Sequence, residues 1–97
     1  MIQKSSFPNA AYEILKQTNE ALSSVELVDI ALSKGLIETK GRTPEATMWS
    51  ALYLEGQRKG NKSRFILIGK DKWALSEWGK EVIQVEIEKY NKDTQEI

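Results

Sequence analysis

The chain has 97 residues, 40% of them apolar and 29% charged, with only two prolines, which fits one small globular domain. That excludes a disordered or collagen-like chain and an enzyme with separate cofactor and substrate modules. Fourteen basic residues balance fourteen acidic ones, so no global excess of positive charge is present to attract phosphate.

Histidine and cysteine are absent, which removes Ser-His-Asp triads, thiolate nucleophiles, Cys/His zinc sites and disulfides. The sequence therefore calls for no cofactor, no metal and no enzyme activity of its own. Met1 to Lys4 leads into a polar stretch rather than the apolar core of a signal peptide, and no apolar run approaches the roughly 18 residues of a membrane span. The expectation is an intracellular protein without membrane contact, in cytoplasm and nucleoid, or in the nucleus of a eukaryote. The lack of cysteine fits a reducing compartment.

Helical spacing of Phe7, Ala11, Ile14, Leu15 and Thr18 predicts a first helix from Phe7 to about Asn19, capped by Ser5 or Ser6, with Pro8 in its first turn. Ala21-Leu22-Ser23 reads as a short extended link with one buried Leu. Ser23 and Glu26 form a capping-box pattern, which starts a second helix with Leu27, Val28, Ala31 and Leu32 on its apolar side and Gly35 as its stop. Leu36-Ile37 is expected to pack beneath the loop to Arg42. Thr43 as N-cap, Pro44 at the first helical position and Glu45 in the first turn announce a third helix, running to about Lys59 with Met48, Ala51 and Leu52 on its core side. Arg64 to Ile68 and Trp73 to Leu75 are β-type runs around a Gly69–Lys72 turn, and Ser76 is placed to cap a last helix from Glu77 to about Asn91. The fold class is α+β, mostly α. Three helices and a β-hairpin wing in this order predict a winged helix-turn-helix over residues 1–79, with a C-terminal helical extension over 80–97.

The balanced total hides a local dipole. Residues 34–72 carry nine basic groups against four acidic ones, a net +5, whereas residues 1–33 carry −2 and residues 73–97 carry −3. The positive third holds the third helix, the loop before it and the hairpin, the parts that meet a duplex in this architecture. Solvated loop lysines and arginines are the plain alternative for each cation singly.

At about 100° per residue, Met48, Ala51, Leu52 and Glu55 share one side of the third helix, and Ala46, Trp49, Ser50, Tyr53 and Gln57 lie on or near the other. Ala46, Thr47 and Ser50 are small enough to approach a groove, with Ser50, Tyr53 and Gln57 as hydrogen-bonding candidates. No outward Arg precedes Arg58, which points to modest sequence specificity or to shape readout. Trp49 and Tyr53 are an i, i+4 aromatic pair, which reads either as core packing or as a protein interface.

Three local patterns fail on context. Gly56 with Asn61-Lys62-Ser63 resembles a phosphate loop but leaves a helix and opens a strand. Asn61-Lys62-Ser63 is a glycosylation acceptor only in a secreted protein, and Glu38-Thr39-Lys40 has no partner carboxylate for a nuclease site. Glu86 and Glu88 do not face one another and read as solvated charges.

A string of spaced features resembles the HARE-HTH family, winged helix-turn-helix modules of ASXL chromatin proteins, restriction endonucleases and other chromatin factors, related to the RNA polymerase delta subunit. Phe7-Pro8 with Ala10-Ala11 and Ile14-Leu15 is similar to its first helix, and Glu26-Leu27 to Ala31 with Lys34-Gly35-Leu36-Ile37 to its second. Gly41-Arg42-Thr43-Pro44 with Thr47, Leu52 and Tyr53, then Ser63-Arg64-Phe65 and Trp73-Ala74-Leu75, resemble its third helix and wing. The resemblance implies DNA binding, often as the targeting arm of a larger enzyme or chromatin complex. The expected partner is double-stranded DNA. Lys40, Arg42, Arg58, Lys62 and Arg64 are expected to hold backbone, Lys70 and Lys72 to belong to the wing, Thr43 to sit at a phosphate, and Thr47, Ser50 and Tyr53 to approach bases. The competing expectation is a protein-interaction module for polymerase or for a chromatin or restriction complex, using Trp49, Tyr53 and the tail helix, or a homodimer through that helix.

Overall fold

A computed structural model describes residues 5–39 and 41–94. The first helix, α1 (Phe7–Thr18), is capped by Ser6, whose hydroxyl accepts the Asn9 N–H at 3.2 Å. The second, α2 (Ser24–Ser33), opens on the expected capping box: Ser23 Oγ accepts the Glu26 N–H, and the Glu26 carboxylate accepts the Ser23 N–H. It ends in a Schellman motif, with Leu36 N–H on the Ala31 carbonyl and Gly35 N–H on that of Leu32. The third, α3 (Pro44–Lys59), has the bounds that Thr43-Pro44 and Gly60 predict. A single 3-10 turn, Gly60–Lys62, leads into β1 (Phe65–Leu67), which pairs antiparallel with β2 (Trp73–Leu75) in the register Phe65 opposite Leu75. Leu22, the buried residue of the α1–α2 link, exchanges two backbone hydrogen bonds with Trp73 and so adds a one-residue third strand.

The core lies where the three helices meet the hairpin. Ile14 and Leu15 of α1, Leu27 of α2, Met48 and Leu52 of α3 and Leu75 of β2 are fully buried. Burial of side chains this size contributes about 1.5–3 kcal/mol each and fixes how α3 sits on the rest. Leu32 departs from its predicted stripe and is half-exposed, because the helix turns its Leu27–Val28–Ala31 side inward.

The end of the chain differs from expectation. Ser76 does not cap a helix: its hydroxyl donates to the Ser63 carbonyl at 2.9 Å and ties the end of β2 to the start of β1. Ser76–Trp78 is one 3-10 turn, and Gly79, at φ 88°, breaks the chain direction before α4 (Lys80–Thr94). Positive φ is a region glycine enters without the Cβ penalty. Glu86, expected to be a solvated charge, is buried and accepts the Ala21 N–H at 2.8 Å and Lys89 Nζ at 3.1 Å. It caps the backbone of the α1–α2 link from across the molecule. Among the described residues no helix is long and apolar enough to cross a membrane.

The turn of the hairpin is held from four directions. Trp49 Nε1 of α3 donates to the Lys70 carbonyl at 3.2 Å, and Asp71 accepts from Ser24 N and Oγ at the start of α2. Lys72 pairs with Glu26 at 3.2 Å, and the Lys70 N–H donates to Tyr90 Oη of α4. Gly69 lies so close to the Tyr90 ring that a Cβ there would overlap its Cζ and Cε atoms. Gly69→Ala is therefore expected to displace Tyr90 and lower stability by about 1–3 kcal/mol, the range for overpacking. In thermal unfolding, its effect should be less than additive with Tyr90→Ala, since both changes break the same contact.

Candidate nucleic-acid interface

The outward side of α3 forms the centre of the surface. Ala46, Ser50, Tyr53 and Gln57 follow one line along the helix, with Thr47, Leu54 and Arg58 beside them, and all are exposed. The inward side carries Met48, Leu52 and Glu55, so the two faces separate as the sequence predicts. The helix has 16 residues and is about 24 Å long. Its neutral middle is bounded by cations at both ends: exposed Arg42 before it, and exposed Arg58, Lys59 and Lys62 at its exit. Lys70 is exposed on the turn that Trp49 holds beside the helix. Among the described residues none of these five is in an ion pair. Lys40 lies outside the described residues.

Thr43 stands at the helix start without using its hydroxyl as a cap. The Ala46 N–H bonds the Thr43 carbonyl at 3.1 Å instead, and Pro44 has no N–H to offer, so the hydroxyl and the Glu45 N–H both stay available. Thr47 Oγ1 also turns to the Thr43 carbonyl, at 3.4 Å.

Two of the predicted backbone contacts are taken by carboxylates. Arg64 is not a free cation: its Nε and Nη2 donate to the two oxygens of Glu55 at 2.9 and 2.7 Å, and Nη1 donates to Asn9 at 3.1 Å. Its guanidinium also lies over the rings of Tyr12 and Phe65. The fork of hydrogen bonds from Arg64 holds the Glu55 carboxyl below its ordinary range against the opposing cost of burial. Glu55 in turn raises Arg64, and the pair joins α3 to the root of the hairpin. Lys72 is half-buried and engaged with Glu26, whose pKa is lowered because the Ser23 N–H and Lys72 outweigh the upward push of burial. The wing that was expected to project is instead a short hairpin of two three-residue strands, fastened back on the body. Lys70 is the cation of its turn that remains unpaired among the described residues.

The aromatic pair divides between the two readings of it. Trp49 is half-buried, packed against the core, stacked on Tyr53 at 5.0 Å and edge-on to Trp73 at 5.9 Å. Tyr53 is 44% exposed. Trp49 is thus a structural support, and Tyr53 is the part of the pair that a partner meets. On α4, Ile83, Glu86, Ile87 and Tyr90 occupy the less exposed side and Val82 and Val85 the exposed one.

Asp71 and Glu86 were missed as anchors. Neither has a signal in local periodicity, because each bonds backbone or hydroxyl groups distant in sequence. Glu55 did carry a signal, since a carboxylate on the Met48–Leu52 side of a helix requires a buried partner.

A family model matches residues 5–78, that of HARE-HTH, described as the HTH domain of ASXL and restriction endonuclease proteins. The match ends beside Gly79, before α4. The chain matches no curated protein and no solved structure.

Proposed function

The chain belongs to the HARE-HTH family, a family of helix-turn-helix domains, and from that premise we propose that it is a targeting or regulatory module that binds duplex DNA with α3 in the major groove. The observation that carries this reading is the placement of unpaired cations at both ends of a neutral, exposed helix face. A helix about 24 Å long laid across a groove about 12 Å wide brings its two ends to the two phosphate backbones. Arg42 and the Thr43 hydroxyl then meet one backbone, Arg58 and Lys62 the other, and Lys70 reaches phosphate from the hairpin turn. Ser50, Tyr53 and Gln57 face the bases. The module acts by binding, and delivers a partner protein or fused effector to its site.

With four to five phosphate contacts, log affinity falls with log salt at a slope of about −4, a loss of about 100-fold between 50 and 200 mM. Fluorescence anisotropy of a labelled duplex over that range tests it. Absence of binding at low salt, or affinity unchanged by salt, overturns the reading. Salt-independent capture of a protein through Tyr53 and Leu54, both about half-exposed, would favour an interaction module instead.

A further inference from the structure

The exposed face of α3 has a composition that discriminates between base pairs. Between Glu45 and Arg58 the helix carries a single charged group, Glu55, which is buried and bonded to Arg64. What faces outward is Ala46, Thr47, Ser50, Tyr53, Leu54 and Gln57. Thr47 gives its hydroxyl proton to the Thr43 carbonyl, so its methyl is what it adds to the face. Ala46, Thr47, Tyr53 and Leu54 thus offer apolar surface. Gln57 supplies the one group with paired donor and acceptor.

In the major groove the one apolar group on any base edge is the 5-methyl of thymine, and a carboxamide fits the N6/N7 edge of adenine bidentately. Guanine O6/N7 asks for a guanidinium or ammonium, and those groups stand at the ends of α3, where the phosphates lie. A G·C pair under the middle of the helix would lose water from its polar edge without gaining a partner. Resting on the major-groove placement above, we infer that α3 reads A·T base pairs, with thymine methyls against Ala46, Thr47, Tyr53 and Leu54 and an adenine edge on Gln57. From Ala46 to Gln57 the helix rises about 16 Å, which spans about five base-pair steps.

The test is anisotropy with the full chain at about 50 mM salt on duplexes of equal length. Four are used: A·T, G·C, A·U, which lacks the thymine methyl, and inosine·cytosine, which presents a guanine-like major groove and an A·T-like minor groove. A·T is expected to bind about tenfold tighter than G·C. Inosine·cytosine should bind like G·C, and A·U a few-fold more weakly than A·T. Gln57→Ala should weaken A·T more than G·C and narrow their ratio. Inosine·cytosine binding as tightly as A·T, or A·U as tightly as A·T, overturns the inference, as does equal affinity for A·T and G·C. Such equal affinity with the salt dependence intact leaves DNA binding standing, whereas no binding to any duplex removes both.

Discussion

Glu55→Gln is expected to lower the stability of the fold by about 2 kcal/mol at pH 7, seen as a fall of about 1–2 M in the urea midpoint. Glu55 is 6% exposed and accepts the two-pronged hydrogen bond of Arg64, so losing its charge leaves a guanidinium held against Tyr12 and Phe65 without its counter-ion. Arg64 keeps part of its surface in water, which places the cost below the 3–5 kcal/mol of a fully buried pair. The effect also has a pH signature. The carboxyl of Glu55 is lowered from its ordinary value of 4.5 in the folded state, so its contribution is fully present above that value and is lost as pH falls through the lowered one. The gap between wild type and Glu55→Gln should therefore shrink when unfolding is repeated near pH 3. Glu26, lowered as well, is present in both proteins and cancels in the comparison.

Reversing Arg42 and Arg58 together to Glu should weaken duplex binding about 100-fold and make the salt slope shallower by about 2. The two residues sit at opposite ends of α3, so the pair of changes removes a contact to each backbone and adds repulsion at both. Both are exposed and outside any ion pair among the described residues, so stability should stay within about 0.5 kcal/mol of wild type. Equilibrium titration at fixed salt, with a urea curve for each protein, checks both halves. A loss of affinity that tracks a loss of stability would mean that the charges support the fold and not the contact.

The parts of the fold written in local chemistry were legible in advance. Ser23 and Glu26 mark the start of α2, and Thr43-Pro44 that of α3, through hydrogen bonds and backbone preferences that span four residues. The two-faced nature of α3 follows from helical period alone. What stayed hidden depends on groups that meet only after folding. Periodicity carries Trp78 straight into the last helix, but Gly79 breaks it and Ser76 is drawn to the Ser63 carbonyl. Glu86 looks solvated until Ala21 is brought beneath it, and Lys72 looks free until α2 places Glu26 beside it. Charge counting along the chain found the positive third correctly but overestimated its reach, because Arg64 and Lys72 answer carboxylates on neighbouring elements.

The short, anchored hairpin changes how the surface works. A wing held by Trp49, Ser24, Glu26 and Tyr90 is a rigid shoulder for α3 more than an arm that searches the minor groove. Tyr90 and Glu86 bring α4 into that shoulder although the family match ends before it.

The most direct test locates the contact on the molecule itself. An A·T-rich duplex is added to 15N-labelled protein at about 50 mM salt while backbone amide shifts are followed by NMR. The expected result is a continuous set of changes from Arg42 along Ala46, Ser50, Tyr53 and Gln57 to Lys62, joined by Lys70. Changes confined to Val82 and Val85 of α4, with α3 silent, would contradict a role for the third helix in DNA recognition.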